Sequence, residues 1–189
     1  CASLVLEQLK NSFEAGSRLY QRFRQDFQHS DKLRYLEKVQ ANLKRLETQK
    51  EAPLFTLKNE AGQEVSLKDL RGNVVYLDFW ASNCPPCLEE FRNHLPALKQ
   101  RFKGRKISFV TISFDRDTSI WKRNLNRLNI NGVNLIAGRT GSQLEKAYEI
   151  SSLPTYYIID KNGRIFRRNA FRPSEPRLVY DLDAALAED

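Results

Sequence analysis

The sequence predicts an α/β protein, a central sheet with helices on both faces, preceded by a helical segment. Three features carry that prediction. An apolar, β-favouring run from Val74 to Trp80 has the length and flanks of a strand buried on both faces of a sheet. A second such run, Lys106 to Phe114, follows a stretch of helical spacing, as in two parallel strands joined by a helix. A strand pair and a closing helix complete the order strand, helix, strand, helix, strand pair, helix.

Taken in order, residues 2–50 read as helical. Leu6, Leu9, Phe13, Tyr20, Phe23 and Phe27 recur at steps compatible with one face, and Leu33, Leu36, Val39, Leu43 and Leu46 do so more cleanly. His29-Ser30-Asp31 interrupts them; Ser30 or Asp31 can cap a second helix, and His29 reads as a surface residue of the turn. So apolar a stripe has to be covered, by the following domain, by a second copy, or by a larger upstream region of which it is the tail. The last is favoured, because the chain contains no methionine and therefore implies a longer precursor. The domain reading is a helical segment over 1–50 and an α/β domain over 51–189.

Gln49 to Pro53 is a polar linker. Leu54–Leu57 and Gln63–Leu67 form a hairpin around Asn59-Glu60-Ala61-Gly62, and Asp69-Leu70-Arg71-Gly72 turns the chain into the strand ending at Trp80. One helix is expected from Pro85 to about Phe102, with Leu88, Phe91, Leu95, Leu98 and Phe102 on its inner side. A helix over Thr118–Leu128, a short strand over Asn134–Ala137 and a helical turn or two over Ser142–Tyr148 follow. Thr155–Asp160 and Ile165–Asn169 pair around Lys161-Asn162-Gly163-Arg164, and Ser174 caps a last helix to about Ala187.

The composition, 41% hydrophobic and 29% charged in 189 residues, suits one packed core with an appendage. No apolar run is long enough to span a membrane. The net charge of +8 raises the question of nucleic acid, but both signs are spread along the chain, so no nucleic-acid partner is expected. Of three cysteines, Cys84 and Cys87 form a natural pair and Cys1 is left over, either an incidental thiol or a lipid-attachment cysteine exposed by signal cleavage.

The Cys84-Pro85-Pro86-Cys87 segment falls between the buried strand and the helix start, where prolines are tolerated because first-turn amides have no intrahelical partner. A thiol capping a helix is stabilised as thiolate by unpaired amides and the helix dipole. Cys87, one turn on, can attack a mixed disulfide formed at Cys84. The reading is a redox pair in which one thiol attacks and the other resolves. Half of a zinc site and an inert structural disulfide are the alternatives; the first would need more ligands, and the chain offers only Cys1, His29 and His94.

Asp78-Phe79-Trp80-Ala81-Ser82-Asn83-Cys84-Pro85-Pro86-Cys87 resembles the active-site segment of thioredoxin-fold oxidoreductases, and Cys87-Leu88-Glu89-Glu90-Phe91 resembles its TlpA/ResA-like branch. Ala52-Pro53-Leu54-Phe55, Val65-Ser66-Leu67-Lys68-Asp69-Leu70-Arg71-Gly72 and Leu153-Pro154-Thr155 match further signatures of that branch, over roughly residues 52–189. The resemblance implies a thioredoxin-like central mixed sheet flanked by helices. It implies a thiol-disulfide oxidoreductase of the bacterial periplasm or cell envelope, with a membrane tether through a missing N-terminus as an open alternative. The dithiol would need no cofactor and no metal. Its partners would be disulfide-containing proteins and an upstream thiol electron donor; oligomeric state stays open.

In that family the acid at the position of Asp78 is buried near the second cysteine and exchanges its proton, and a glutamate at the position of Glu90 is credited with acid-base work. Desolvation should raise the pKa of Asp78, and two neighbouring carboxyls should couple. Pro154, if cis, would hold Leu153 extended beside the dithiol to pair with a substrate strand. Trp80 is expected beneath the site, shaping its rim, with Tyr156 and Phe171 adding apolar rim.

Three departures from the pattern stand out. Asn83 replaces the usual tryptophan, Arg92 replaces a helix-kinking proline so that any kink falls near Pro96, and Pro85-Pro86 removes two donors from the helix start. The last favours a reducing character. A thiol peroxidase of the same fold would want a hydroxyl residue at position 81 and proline at 79, where Ala81 and Phe79 stand. A non-enzymatic binding or assembly module with a vestigial dithiol is the third reading.

Overall fold

The computed structural model describes residues 48–188, together with residues 20, 34–38 and 41. The chain forms two compact units, 1–47 and 48–189. In the first, Tyr20 and residues 34–38 are helical, Tyr20 and Leu36 are buried, and the Tyr20 hydroxyl donates to Glu37 at 3.3 Å. Cys1, His29 and the other stripe residues named above lie outside the described residues.

The second unit is built on seven strands: β1 (Thr56–Asn59), β2 (Glu64–Ser66), β3 (Val74–Trp80), β4 (Ile107–Ser113), β5 (Val133–Ile136), β6 (Thr155–Ile159) and β7 (Ile165–Arg168). They join in one mixed sheet of order β2-β1-β5-β4-β3-β6-β7. β3 and β4 are parallel, as are β4 and β5, while β6 runs antiparallel to β3 and β1 to β5. Every residue of β3 is buried, as its continuous apolar run requires of a strand flanked on both edges and covered on both faces.

The hairpin turn closes as its residues dictate: the Asn59 carboxamide accepts from the amides of Ala61 and Gln63, and Gly62 takes φ +82. Ser66 and Asp69 form a reciprocal capping box on the short 3-10 turn Leu67–Leu70. The β6–β7 turn needs Gly163, whose φ is +84 and whose missing Cβ would lie 3.2 Å from Arg71 Nε.

Five α-helices complete the unit: α1 (Pro85–Asn93), α2 (Leu95–Arg101), α3 (Thr118–Leu128), α4 (Gly141–Ala147) and α5 (Arg177–Ala187). Two expectations are corrected. The single helix from Pro85 to Phe102 is broken at His94, where φ is −124, because Pro96 has no amide for the carbonyl of Arg92 and its ring crowds that carbonyl. Ser174 does not cap the last helix; α5 starts at Arg177 after Pro176, without a side-chain cap.

The apolar stripe crosses the break intact, with Phe91, Leu95, Leu98 and Phe102 all buried and Leu88 half-buried. They pack with Val74, Tyr76 and Trp80 of β3, Trp121 and Leu125 of α3, and Leu178 and Leu182 of α5. The cluster also contains Cys84 and Cys87, so the dithiol is part of a core face.

Candidate active site

β3 ends at Trp80, and Ala81-Ser82-Asn83 leads to Cys84, the N-cap of α1, in extended conformation (φ −107, ψ 93). Pro85 and Pro86 occupy the first turn, so the first free amide is that of Cys87, and it donates to Cys84 Sγ at 3.3 Å. Cys84 and Cys87 form a disulfide, with Cα atoms 5.3 Å apart. Cys84 is 8% exposed and Cys87 1%, so the first cysteine is the more accessible of two nearly buried residues. Half-buried Leu153, its peptide bond to Pro154 cis, packs against the same cluster.

Alternation along β3 puts Tyr76, Asp78 and Trp80 on one face, and Tyr76 and Trp80 pack in the cluster that holds the dithiol. Asp78 is 2% exposed, and neither of its oxygens has a hydrogen-bond partner among the described residues. Burial, first, and the charge of Glu90, second, push its carboxyl well above the usual carboxylate range, while Lys99 pulls the other way. Glu90 is 4% exposed and fully engaged: Ser174 donates its hydroxyl to one oxygen at 2.7 Å and its amide to the other at 2.9 Å. The two carboxyls sit close enough to interact and are solvated in opposite ways.

Trp80 is corrected: at 0% exposure it forms no rim, but meets Phe91 edge-on at 4.9 Å and supports α1 from below. Tyr156 is corrected for the same reason; it is buried and stacks on Tyr76 at 5.4 Å. Phe171 is half-buried, and its carbonyl accepts from the Tyr76 hydroxyl at 2.8 Å. Arg92 and Asn83 are exposed.

Residues that the sequence reading passed over complete the surroundings. Asp115, just past β4, accepts from the amide and hydroxyl of Ser82 at 3.1 and 2.7 Å and from the Ser113 hydroxyl at 2.7 Å, pinning the loop before Cys84. Asn124 of α3 donates to the Ser82 hydroxyl at 2.9 Å. The available signal was topological, since Asp115 follows the carboxyl end of a strand parallel to β3. Lys99, on the inner stripe of α2 four residues after Leu95, donates to the Asn131 carbonyl, lies 5.9 Å from the Phe109 ring centroid, and is pushed down to about 8 by burial. Among the described residues no group of three or more His, Cys, Asp or Glu side chains is placed to hold a metal ion.

The Redoxin family model matches residues 47–186. The chain belongs to the Redoxin family. The thiol-disulfide oxidoreductase ResA of Bacillus thuringiensis (strain Al Hakam) is 30% identical over 126 residues, 66% of this chain and 70% of that one. ResA of Bacillus subtilis (strain 168) is 30% identical over 118 residues, covering 62% and 64%. A thiol-disulfide oxidoreductase from Bacteroides fragilis superposes with a TM-score of 0.63 at 28% identity, covering 71% of this chain and 98% of its own. The thioredoxin domain of a Bacteroides vulgatus thiol-disulfide oxidoreductase, at 24% identity and a TM-score of 0.67, shares the fold. The expected thioredoxin-like fold and thiol-disulfide oxidoreductase class both stand for this Redoxin member.

Proposed function

We propose that this chain reduces or exchanges disulfides in cell-envelope proteins through the Cys84/Cys87 dithiol, using no cofactor beyond it, with residues 51–189 as the catalytic unit. The observation that carries the reading is the Cys84–Cys87 bond at the start of α1, where Cys84 caps the helix and the Cys87 amide points at its sulfur. Cys84 thiolate attacks a substrate disulfide, forming a mixed disulfide and releasing one substrate thiolate. Cys87 loses its proton and attacks Cys84 Sγ; the internal disulfide forms, the mixed bond breaks, and the second substrate sulfur leaves as thiolate. An upstream dithiol donor reverses the state of the pair.

Asp78 and Glu90 handle the proton of Cys87, and Leu153 and Pro154 offer backbone beside the sulfurs for an extended substrate segment. Trp80 contributes by holding α1, without touching substrate. An envelope location rests on the resemblance to the TlpA/ResA-like branch; no helix among the described residues is long and apolar enough to cross a membrane, and a tether would lie outside them. The test is reduction of insulin by the reduced protein. Cys84→Ser should abolish it and Cys87→Ser should accumulate mixed disulfides, whereas full activity in Cys84→Ser would end the reading.

A further inference from the structure

Ser174 lies 84 residues from Glu90 in sequence, in the exposed loop between β7 and α5, yet both of its donors are spent on that one buried carboxylate. The loop has its own anchors, the Phe171 carbonyl on the Tyr76 hydroxyl and the Arg172 amide on Glu175. Ser174 is therefore presented to Glu90 by a pinned loop. Among the described residues nothing comparable reaches Asp78, whose two oxygens both lack a partner there.

We propose that Ser174 is a positioning residue for the thiol-disulfide reaction: by occupying both oxygens of Glu90 it leaves Asp78 as the carboxyl that takes the proton of Cys87. This rests on the proposed roles of the dithiol and the two acids. In the resolving step the Cys87 S–H bond breaks and an O–H bond forms on Asp78, while the Cys87 electron pair makes the Cys84–Cys87 bond and the substrate sulfur departs with the electrons of the mixed disulfide. A hydrogen-bonded carboxylate is a poorer proton acceptor than a bare one held in an apolar pocket, so the donors of Ser174 set the division of labour. The charged and titratable groups that act on the pair are Tyr76 from β3, Tyr156 from β6 and Lys99 from α2, with Glu175 from the loop acting on both tyrosines and Arg172 on Tyr156. None of these donates a hydrogen bond to Glu90 in the way Ser174 does.

The experiment follows release of a coloured aromatic thiol from its mixed disulfide with Cys84, as a function of pH, in wild type, Ser174→Ala, Ser174→Thr, Glu90→Gln and Ser174→Ala/Glu90→Gln. Losing one of the two donors that hold the Glu90 charge weakens the charge that opposes ionisation of Asp78, so the basic limb of the profile should move to lower pH by up to about one unit, in the same direction as Glu90→Gln. Ser174→Thr, which keeps amide and hydroxyl, should restore the profile. In the Glu90→Gln background the alanine change should have no further effect. An unshifted profile in Ser174→Ala, or an equal shift with and without Glu90, overturns the proposal. Its failure is distinct from failure of the dithiol reading, which would appear as thiol release that does not depend on Cys87.

Discussion

Replacing Asp78 with asparagine should stabilise the protein at neutral pH, by an amount that grows with pH. The side chain is 2% exposed, its oxygens have no partners among the described residues, and the charge of Glu90 adds to the cost of ionising it. In the unfolded chain an aspartate titrates near about 3.9. Between that value and the raised folded one, the native state keeps a proton that the unfolded state has released, so stability falls as pH rises through the window. Each pH unit inside it costs about 1.4 kcal/mol, so the cost accumulates from the unfolded value up to the raised folded one. Asparagine has nearly the same shape and no such slope. Guanidinium unfolding of the oxidised wild type and Asp78→Asn across that range is the assay. The difference in unfolding free energy should grow at about 1.4 kcal/mol per unit and flatten above the folded pKa. Because Glu90 couples to Asp78, the slope should end at lower pH in Glu90→Gln. A difference that stays constant with pH would refute the reasoning, since it would mean that Asp78 titrates as if in water.

Three further outcomes are expected. Asp115→Ala strips partners from Ser82 and Ser113 at once and should cost about 1–3 kcal/mol, with faster amide exchange at Ser82 as its specific mark. Trp80→Ala should cost about 3–5 kcal/mol in thermal or chemical unfolding, yet leave the ranking of substrates unchanged, because the ring is wholly buried. Lys99, held down to about 8 in the fold, is the opposite case to Asp78. From about pH 8 to about pH 10 the unfolded chain binds the extra proton, so wild type should gain stability relative to Lys99→Met as pH rises, and a falling difference would contradict it.

Much of this molecule is legible from residue order alone. The run Val74–Trp80, the Asn59–Gly62 and Lys161–Arg164 turns and the Thr118–Leu128 helix depend on neighbours in sequence, so pattern and turn chemistry place them. The break at His94 was half-legible: Pro96 announced it, but the continuous apolar stripe suggested one helix, and both are satisfied by two helices that share a face. Ser174 misled for a physical reason. A serine ahead of a helix is ordinarily a cap whose oxygen accepts from the first-turn amides, but α5 starts at Arg177, and Ser174 instead donates its hydroxyl and its amide to a carboxylate brought from α1.

What the sequence determined by itself was the reacting pair and its setting: two cysteines one turn apart at the mouth of a helix, with an acid six residues upstream in a buried strand. These are local relations, set by strand alternation and helix pitch. Only the tertiary structure decided how much of Cys84 shows, that Trp80 supports the site from below, and that Glu90 is bonded while Asp78 is bare. Exposure and solvation are sums over everything that packs nearby, and here the deciding neighbours come from α5's leading loop, α2 and the end of β4, which no local pattern brings together.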